Sequence, residues 1–103
     1  MRVELLFADG DPAAMPARQN LVEVLTEDAF ETPIQMIAVA SDADAEFLAM
    51  RGSPTIRLDG IDIQPEWDGP IGLAPRSYGD GHVPDKPLIR RAMERARGWS
   101  HGR

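Results

Sequence analysis

The stretch Gly52-Ser53-Pro54-Thr55-Ile56 lies at the junction of two predicted secondary-structure elements. Before it, an amphipathic helix is predicted to end in Arg51-Gly52, because a cation followed by a glycine commonly closes a helix. After it, residues 55–64 predict a β-hairpin, because Asp59-Gly60 is a strong signal for a two-residue turn. A proline placed directly before a strand therefore separates a helix from a hairpin.

The register of this hairpin follows from its turn. A two-residue loop at Asp59-Gly60 predicts three cross-strand pairs, which are Leu58–Ile61, Arg57–Asp62 and Ile56–Ile63. The four aliphatic side chains then share one face and are predicted to join the core. Arg57 and Asp62 face each other on the opposite side, where opposite charges form a favourable cross-strand pair.

The remaining segments predict two further strands and three helices. Val3 to Ala8 and Ile34 to Val39 are short and mostly apolar, which is typical of strands covered on both faces. Between them, Asp11-Pro12 predicts a helix start, with the aspartate as N-cap and the proline at the first helical position. The predicted buried face of this helix consists of Met15, Ala17, Leu21, Val22, Leu25 and Ala29. Ser41 and Asp85 are predicted to cap the other two helices.

These elements predict an α/β protein with the order βαβαββα. The first two strands should be parallel because a helix joins them, whereas the last two form the antiparallel hairpin. A central mixed sheet of about four strands, flanked by helices, follows from this order. The 103 residues are predicted to form a single domain. Residues 65–84, rich in proline and glycine, predict a long irregular loop, and residues 98–103 a flexible tail.

The composition excludes several classes of function. The formal net charge of −6, from 11 basic and 17 acidic residues, argues against nucleic acid and anionic membranes as partners. Cysteine is absent, which excludes disulfides, thiolate nucleophiles and cysteine-ligated metals from these residues. No apolar run approaches ~20 residues, so no transmembrane helix is expected. Met1-Arg2-Val3-Glu4 does not open like a signal peptide, so the expected location is the cytoplasm.

No metal site and no cofactor are predicted. Asp42-Ala43-Asp44-Ala45-Glu46 carries alternating carboxylates like the opening of a calcium loop, but the glycine and the distal glutamate of such a loop are missing. A solvated helix start explains this segment better. His82 has no second positioned ligand near it in sequence, and metal sites need several convergent ligands.

Four motifs give the chain its resemblance to a known family. They are Phe7-Ala8-Asp9-Gly10-Asp11-Pro12, residues 52–57 with Asp59-Gly60, Pro75-Arg76-Ser77-Tyr78, and Val83-Pro84-Asp85 leading to Leu88-Ile89-Arg90. Together with the element order, they resemble the thioredoxin-like superfamily, and in particular small bacterial thioredoxin-like proteins grouped with alkylmercury-lyase-associated sequences. The resemblance implies a cis-proline at Pro54 that faces the start of the first helix. It also implies cysteines where this chain has Asp11 and Pro75, so redox activity is not carried over.

The predicted site is a cleft beside Pro54. Its residues are Asp9, Gly10, Asp11, Pro12, Ser53, Pro54, Thr55, Trp67, Arg76 and Tyr78. An aspartate at position 11 keeps the negative charge and the capping oxygen at a helix start, without a nucleophilic sulfur. The first hypothesis is a redox-inactive binding or protein-interaction module, without catalytic residues, that holds a protein, peptide or small molecule in this cleft.

Two alternative functions stay open at this point. One is a non-redox enzyme that uses Asp9 or Asp11 as acid or base, together with His82 or Arg76. The other is a purely structural subunit of a homodimer.

The side chains of the long loop also have two interpretations each. Arg76 is predicted either to pair with Asp9 or Asp11 across the cleft, or to lie on the surface. Trp67 and Tyr78 either line a pocket or pack the loop onto the sheet, as large aromatic side chains commonly do.

Overall fold

The computed structural model describes residues 1–101, and side chains through Gly98. In chain order the elements are β1 (Val3–Ala8), α1 (Ala14–Glu27), β2 (Ile34–Val39), α2 (Asp42–Phe47), β3 (Arg51–Ser53), β4 (Thr55–Leu58), β5 (Ile61–Asp62), β6 (Gly72–Pro75) and α3 (Lys86–His101). Four of the strands form one mixed sheet in the order β2-β1-β4-β5. The prediction of an α/β protein with a central mixed sheet and three helices is confirmed for the described residues.

Two short strands were missing from the predicted order. β3 pairs in parallel with β6 to form a separate two-stranded sheet, and β6 lies inside the segment predicted as irregular. β3 is available as a strand because α2 ends before it, at Phe47. Ala49 adopts a left-handed conformation with φ of 54°, and the Met50 N–H then closes on the carbonyl of Ala45 at 2.8 Å. This geometry usually uses glycine, so the sequence pointed to Gly52 instead.

The sheet register agrees with the predicted hairpin. β1 runs parallel to β2 and antiparallel to β4. The β4–β5 partners are Arg57–Asp62 and Leu58–Ile61. Beyond β5, the Ile63 N–H donates to the carbonyl of Ile56 at 3.1 Å. Three of the four predicted aliphatics are buried, but Ile61 is 62% exposed because β5 is a two-residue strand at the sheet edge.

The apolar core lies on both sides of the four-stranded sheet. The larger cluster packs α1 and α3 on the sheet and includes Leu5, Leu21, Ile56, Ile89 and Met93. The smaller cluster packs α2 on the other face and includes Leu6, Val39, Ala45 and Met50. The buried stripe of α1 is Ala14, Ala17, Leu21, Val24 and Leu25. The prediction that Met15 and Ala29 lie on this stripe is wrong. The buried side of the helix is the one that contains Ala14, and Met15 and Ala29 are exposed.

The other two helices begin at their predicted caps. The hydroxyl of Ser41 accepts the Asp44 N–H at 3.1 Å, and the carboxylate of Asp85 accepts the Leu88 N–H at 2.9 Å. α3 continues through His101, so the tail predicted from Gly98 is helical up to that residue. Gly102 and Arg103 lie outside the described residues. None of the described helices is both long enough and apolar enough to cross a membrane.

A charged cluster joins α1 to α3. Lys86 Nζ lies 3.1 Å from Glu23 Oε1 and 3.2 Å from Glu27 Oε2, and Arg90 Nη2 lies 2.7 Å from Glu27 Oε1. The hydrogen bonds from Gln19 and then Lys86 lower the pKa of Glu23. Those from Arg90 and then Lys86 lower the pKa of Glu27. A carboxylate with a lowered folded-state pKa stabilises the fold above its ordinary pKa, and this contribution is lost as the pH falls through the folded-state pKa.

We expect Lys86→Met to destabilise the protein more at pH 7 than at pH 3, because the stabilisation by these ion pairs decreases as the two glutamates take up protons in acid. Urea unfolding of the wild type and the variant at the two pH values measures the difference. Arg91→Met, at an exposed position of the same helix, is the control and should show little effect at either pH. A Lys86→Met effect of equal size at both pH values contradicts the assignment.

Candidate functional site

A contact between Asp11 and Ser53 lies at the centre of the predicted site. The Ser53 hydroxyl donates a hydrogen bond to Oδ2 of Asp11 and accepts one from the Ala8 N–H at 2.8 Å. The other carboxylate oxygen of Asp11 accepts the Ala13 N–H at 2.8 Å. The peptide bond between Ser53 and Pro54 is cis. The hydrogen bonds of the Ser53 side chain connect the end of β3 to the turn between β1 and α1.

Asp11 does not occupy the predicted N-cap position. α1 begins at Ala14, and its N-cap residue is Ala13, which makes no side-chain capping bond. Asp11 instead accepts a backbone N–H two residues ahead, as aspartates do in Asx turns. Pro12 lies in this turn and does not open the helix. The predicted role of the carboxylate as a backbone acceptor is right, but its position relative to the helix is wrong by two residues.

The backbone on both sides of Pro54 is hydrogen-bonded by the chain itself. The Tyr78 hydroxyl donates to the carbonyl of Pro54 at 2.5 Å, and the Arg76 N–H donates to the carbonyl of Ser53 at 2.9 Å. The Thr55 hydroxyl donates to the carbonyl of Gly52 at 2.8 Å. Because these groups are engaged and buried, the open part of the site lies at the β1–α1 turn, on the other side of Ser53.

Arg76 is fully buried and pairs with Asp62. Its Nη1 and Nη2 lie 2.6 and 2.9 Å from the two carboxylate oxygens, a bidentate geometry that gives a strong charge-assisted contact. Nη1 also donates to the Thr55 hydroxyl at 3.2 Å, and Nη2 donates to the Gln64 carbonyl at 3.2 Å. Both predictions for this side chain are therefore wrong, since it neither lies on the surface nor pairs with Asp9 or Asp11.

The aromatic rings of the long loop hold Arg76 in place. Its guanidinium carbon lies 4.7 Å from the ring centroid of Trp67 and 5.1 Å from that of Tyr78, within the range of cation–π contacts. Gly69 packs so closely on the indole that a Cβ there would lie 2.0 Å from a ring atom. Tyr78 therefore packs the loop onto the sheet, as one of the two interpretations predicted. Trp67 fits both interpretations, because it packs on Arg76 and also lines a pocket.

The predicted site residues fall into two groups that share Tyr78. The first group lies around the Asp11–Ser53 contact and contains Asp9, Gly10, Asp11, Pro12, Ser53 and Pro54. The second lies around the guanidinium of Arg76 and contains Thr55, Trp67 and Arg76. Tyr78 belongs to both, because its hydroxyl contacts Pro54 and its ring contacts Arg76.

Sequence reasoning missed the role of Asp62, the anion of the second group. The hairpin register placed its side chain correctly beside Arg57, but Arg57 donates instead to the carbonyls of Leu48 and Ala49 at 2.7 and 3.1 Å. Asp62 therefore pairs with Arg76, which lies 14 residues further along the chain. A single signal was available, since Arg76 is the one arginine or lysine of residues 65–84.

Burial raises the pKa of Tyr78 well above its ordinary value of 10.0, and the nearby charges of Asp62 and Asp11 act in the same direction. Arg76 opposes these effects. A raised folded-state pKa means that the phenol stabilises the fold fully below pH 10.0 and that this contribution is lost as the pH rises above that value.

We expect the phenol of the folded protein to stay protonated at a pH near 10.0, where the phenol of the urea-unfolded chain is half ionised. Tyr78 is the only tyrosine, so ultraviolet absorbance of phenolate reports on it alone. The same titration curve in the folded and unfolded chain would exclude the buried hydrogen bond to Pro54.

The structure does not assemble the residues of the enzymatic alternative. His82 is exposed, and its Nδ1 lies 2.9 Å from the carbonyl oxygen of Arg76. Arg76 is committed to Asp62, and the carboxylate of Asp11 to Ser53 and Ala13. Within the described residues, no group of three His, Cys, Asp or Glu side chains is placed to hold a metal ion.

Comparison of the chain with protein-family models, with curated proteins and with solved structures gave no match.

Proposed function

We propose that this chain is a redox-inactive, thioredoxin-like binding module that engages an extended peptide of a partner protein at the β1–α1 turn, on the open side of the contact between Ser53 and Asp11. The observation that carries the proposal is the contact between Ser53 and Asp11. The resemblance to thioredoxin-like proteins implies that the serine before the proline faces the start of the first helix, and the Ser53 hydroxyl bonds to a carboxylate in the turn that leads into α1. The sheet order β2-β1-β4-β5, with β4 antiparallel to β1, supports the same topology.

The chemistry of the site favours binding over catalysis. Without cysteine, these residues have no thiol to exchange with a substrate. Asp11 uses both carboxylate oxygens on groups of the chain itself, and the Ser53 hydroxyl has both a donor and an acceptor. A general acid or base must lie within hydrogen-bond reach of the substrate proton that it transfers, whereas these two side chains are already bonded to groups of the chain.

The accessible part of the site is the surface around the start of α1, which we call the α1-entry surface. Its exposed residues are Asp9, Gly10, Pro12, Met15 and Pro16. Met15 is 63% exposed although it lies in the first turn of a helix that packs on the core. Flexible methionines suit surfaces that accept varied apolar side chains. We therefore expect the bound peptide to place an apolar side chain against Met15 and Pro12. We also expect it to place a basic side chain near the carboxylate of Asp9.

Peptides selected from a random display library against the immobilised full chain supply the probe for this proposal. Met15→Asp should lower the affinity of the chain for the selected peptides by about 10-fold or more, as loss of a central apolar contact does. The matched control is Phe47→Asp, which changes a side chain that is 90% exposed at the end of α2. Peptide affinity that is insensitive to Met15→Asp, or equally sensitive to Phe47→Asp, would reject the α1-entry surface.

A homodimer through the same surface is the alternative occupant. Light scattering at several protein concentrations separates the two, because self-association raises the mass with concentration and should be abolished by Met15→Asp.

A further inference from the structure

We propose that a second site, on the α2 side of the sheet, binds a small organic anion. The site is a cavity of about 300 Å³, and we call it the arginine pocket. Its wall includes Leu48, Arg51, Arg57, Asp62, Pro65 and Trp67. The volume lies at the lower end of the range for small-molecule sites. None of the residues of the α1-entry surface lines it.

The charges of the arginine pocket are unbalanced in favour of an anion. Within the described residues, neither Arg51 nor Arg57 forms an ion pair with a carboxylate. Asp62 lines the pocket, but both of its oxygens are bonded to Arg76. Two positive charges of the pocket thus have no carboxylate partner among the described residues, although the net charge of the chain is −6.

A second carboxylate beside Arg57 in the sheet, that of Glu4, does not change this balance. Glu4 on β1 is the cross-strand partner of Arg57, so the two residues share a face of the sheet. Its Oε2 lies 3.4 Å from Nε of Arg2, which is therefore the cation that it pairs with.

Both unpaired guanidiniums are held in position by backbone carbonyls. Nη1 of Arg51 donates to the carbonyl of Gly69 at 2.5 Å, and Nη2 of Arg57 donates to the carbonyls of Leu48 and Ala49. Each guanidinium has five N–H donors, so several remain for a ligand. Anchored planar guanidiniums match the geometry of carboxylate and phosphate oxygens and lose little entropy on binding.

The rest of the wall indicates what is attached to the anionic group. Leu48, Pro65 and Trp67 are apolar, and the indole is fixed by its contacts with Arg76 and Gly69. A rigid apolar wall beside two positive charges suits a carboxylate or phosphate group that carries a small aryl or alkyl body. The proposed ligand is therefore a small organic carboxylate or phosphate monoester.

Titration of the ¹⁵N-labelled full chain with phenyl phosphate, benzoate, inorganic phosphate and phenol tests this proposal. We expect phenyl phosphate or benzoate to shift the signals of Arg51, Arg57 and the Trp67 indole in a saturable manner, with Kd of about 1 mM or below. Whichever binds more tightly identifies the anionic group. Phenol should bind at least about 10-fold more weakly because it lacks the charge, and inorganic phosphate because it lacks the apolar body.

Arg51→Gln and Arg57→Gln should each lower the affinity for the more tightly bound probe by about 10-fold. This is the effect of losing one to two charge-assisted hydrogen bonds. The control is Arg91→Gln, whose exposed side chain lies on α3, away from the pocket. Arg57 also caps α2, so Arg51→Gln decides the result if Arg57→Gln unfolds. The absence of saturable shifts at the pocket, equal binding of phenol, or equal loss in Arg91→Gln would overturn the proposal.

Discussion

Replacing Arg76 by methionine is expected to lower the free energy of unfolding by about 3–5 kcal/mol, the usual cost of removing one partner of a buried ion pair. The side chain of Arg76 is completely buried, and that of Asp62 is 20% exposed. The variant leaves the carboxylate of Asp62 without its two charge-assisted hydrogen bonds. It also removes the cation that contacts the rings of Trp67 and Tyr78.

Two further variants separate the buried charge from other effects. Arg90→Met breaks an ion pair with Glu27 in which both side chains are partly exposed, and such exposed pairs contribute little to stability. The double variant Arg76→Met/Asp62→Leu should be more stable than Arg76→Met alone, because no unpaired charge remains. Urea unfolding of the three variants measures these differences. An Arg76→Met loss no larger than that of Arg90→Met is incompatible with the buried pair.

Replacing Gly52 by alanine is expected to cost about 2–4 kcal/mol, from an unfavourable backbone conformation together with overpacking. Gly52 has φ of +83°, where residues with a side chain are disfavoured. A Cβ at this position would lie 2.9 Å from Cβ of Arg76 and 3.1 Å from the carbonyl oxygen of Ala74. Because the second contact is with backbone, β3 and β6 would have to separate.

The control for this prediction is Gly79→Ala. Gly79 has nearly the same φ, +82°, but no atom lies within 4 Å of its added Cβ. It should therefore show only the backbone cost of about 1–2 kcal/mol. Thermal or urea unfolding of both variants decides the question. Losses of equal size would mean that β6 does not pack closely enough on Gly52 to exclude a Cβ.

The features predicted well from the sequence are those encoded by neighbouring residues. Asp59-Gly60 sets the hairpin turn, so the pairing of Arg57 with Asp62 in the register could be predicted. The caps at Ser41 and Asp85 depend on side chains only three residues from the groups that they bind. The helix ends were harder, because Ala29 and Ala49 adopt left-handed conformations that usually signal glycine.

The features predicted poorly depend on contacts between distant segments. The register alone favoured Arg57 as the partner of Asp62, and nothing local indicated that Arg76 would displace it. The same displacement leaves Arg57 unpaired, and so the arginine pocket was not predicted. The Asp11–Ser53 contact spans 42 residues and was expected only through the family resemblance.

The most direct test of the proposed function is to map where a selected peptide contacts the ¹⁵N-labelled full chain. The proposal predicts that the largest shifts in amide signals fall on residues 9–16 and 53–55, around the contact between Asp11 and Ser53. It also predicts that the signals of Arg51 and Arg57 stay in place. Largest shifts at the arginine pocket or on α3, with residues 9–16 unchanged, would contradict the proposal.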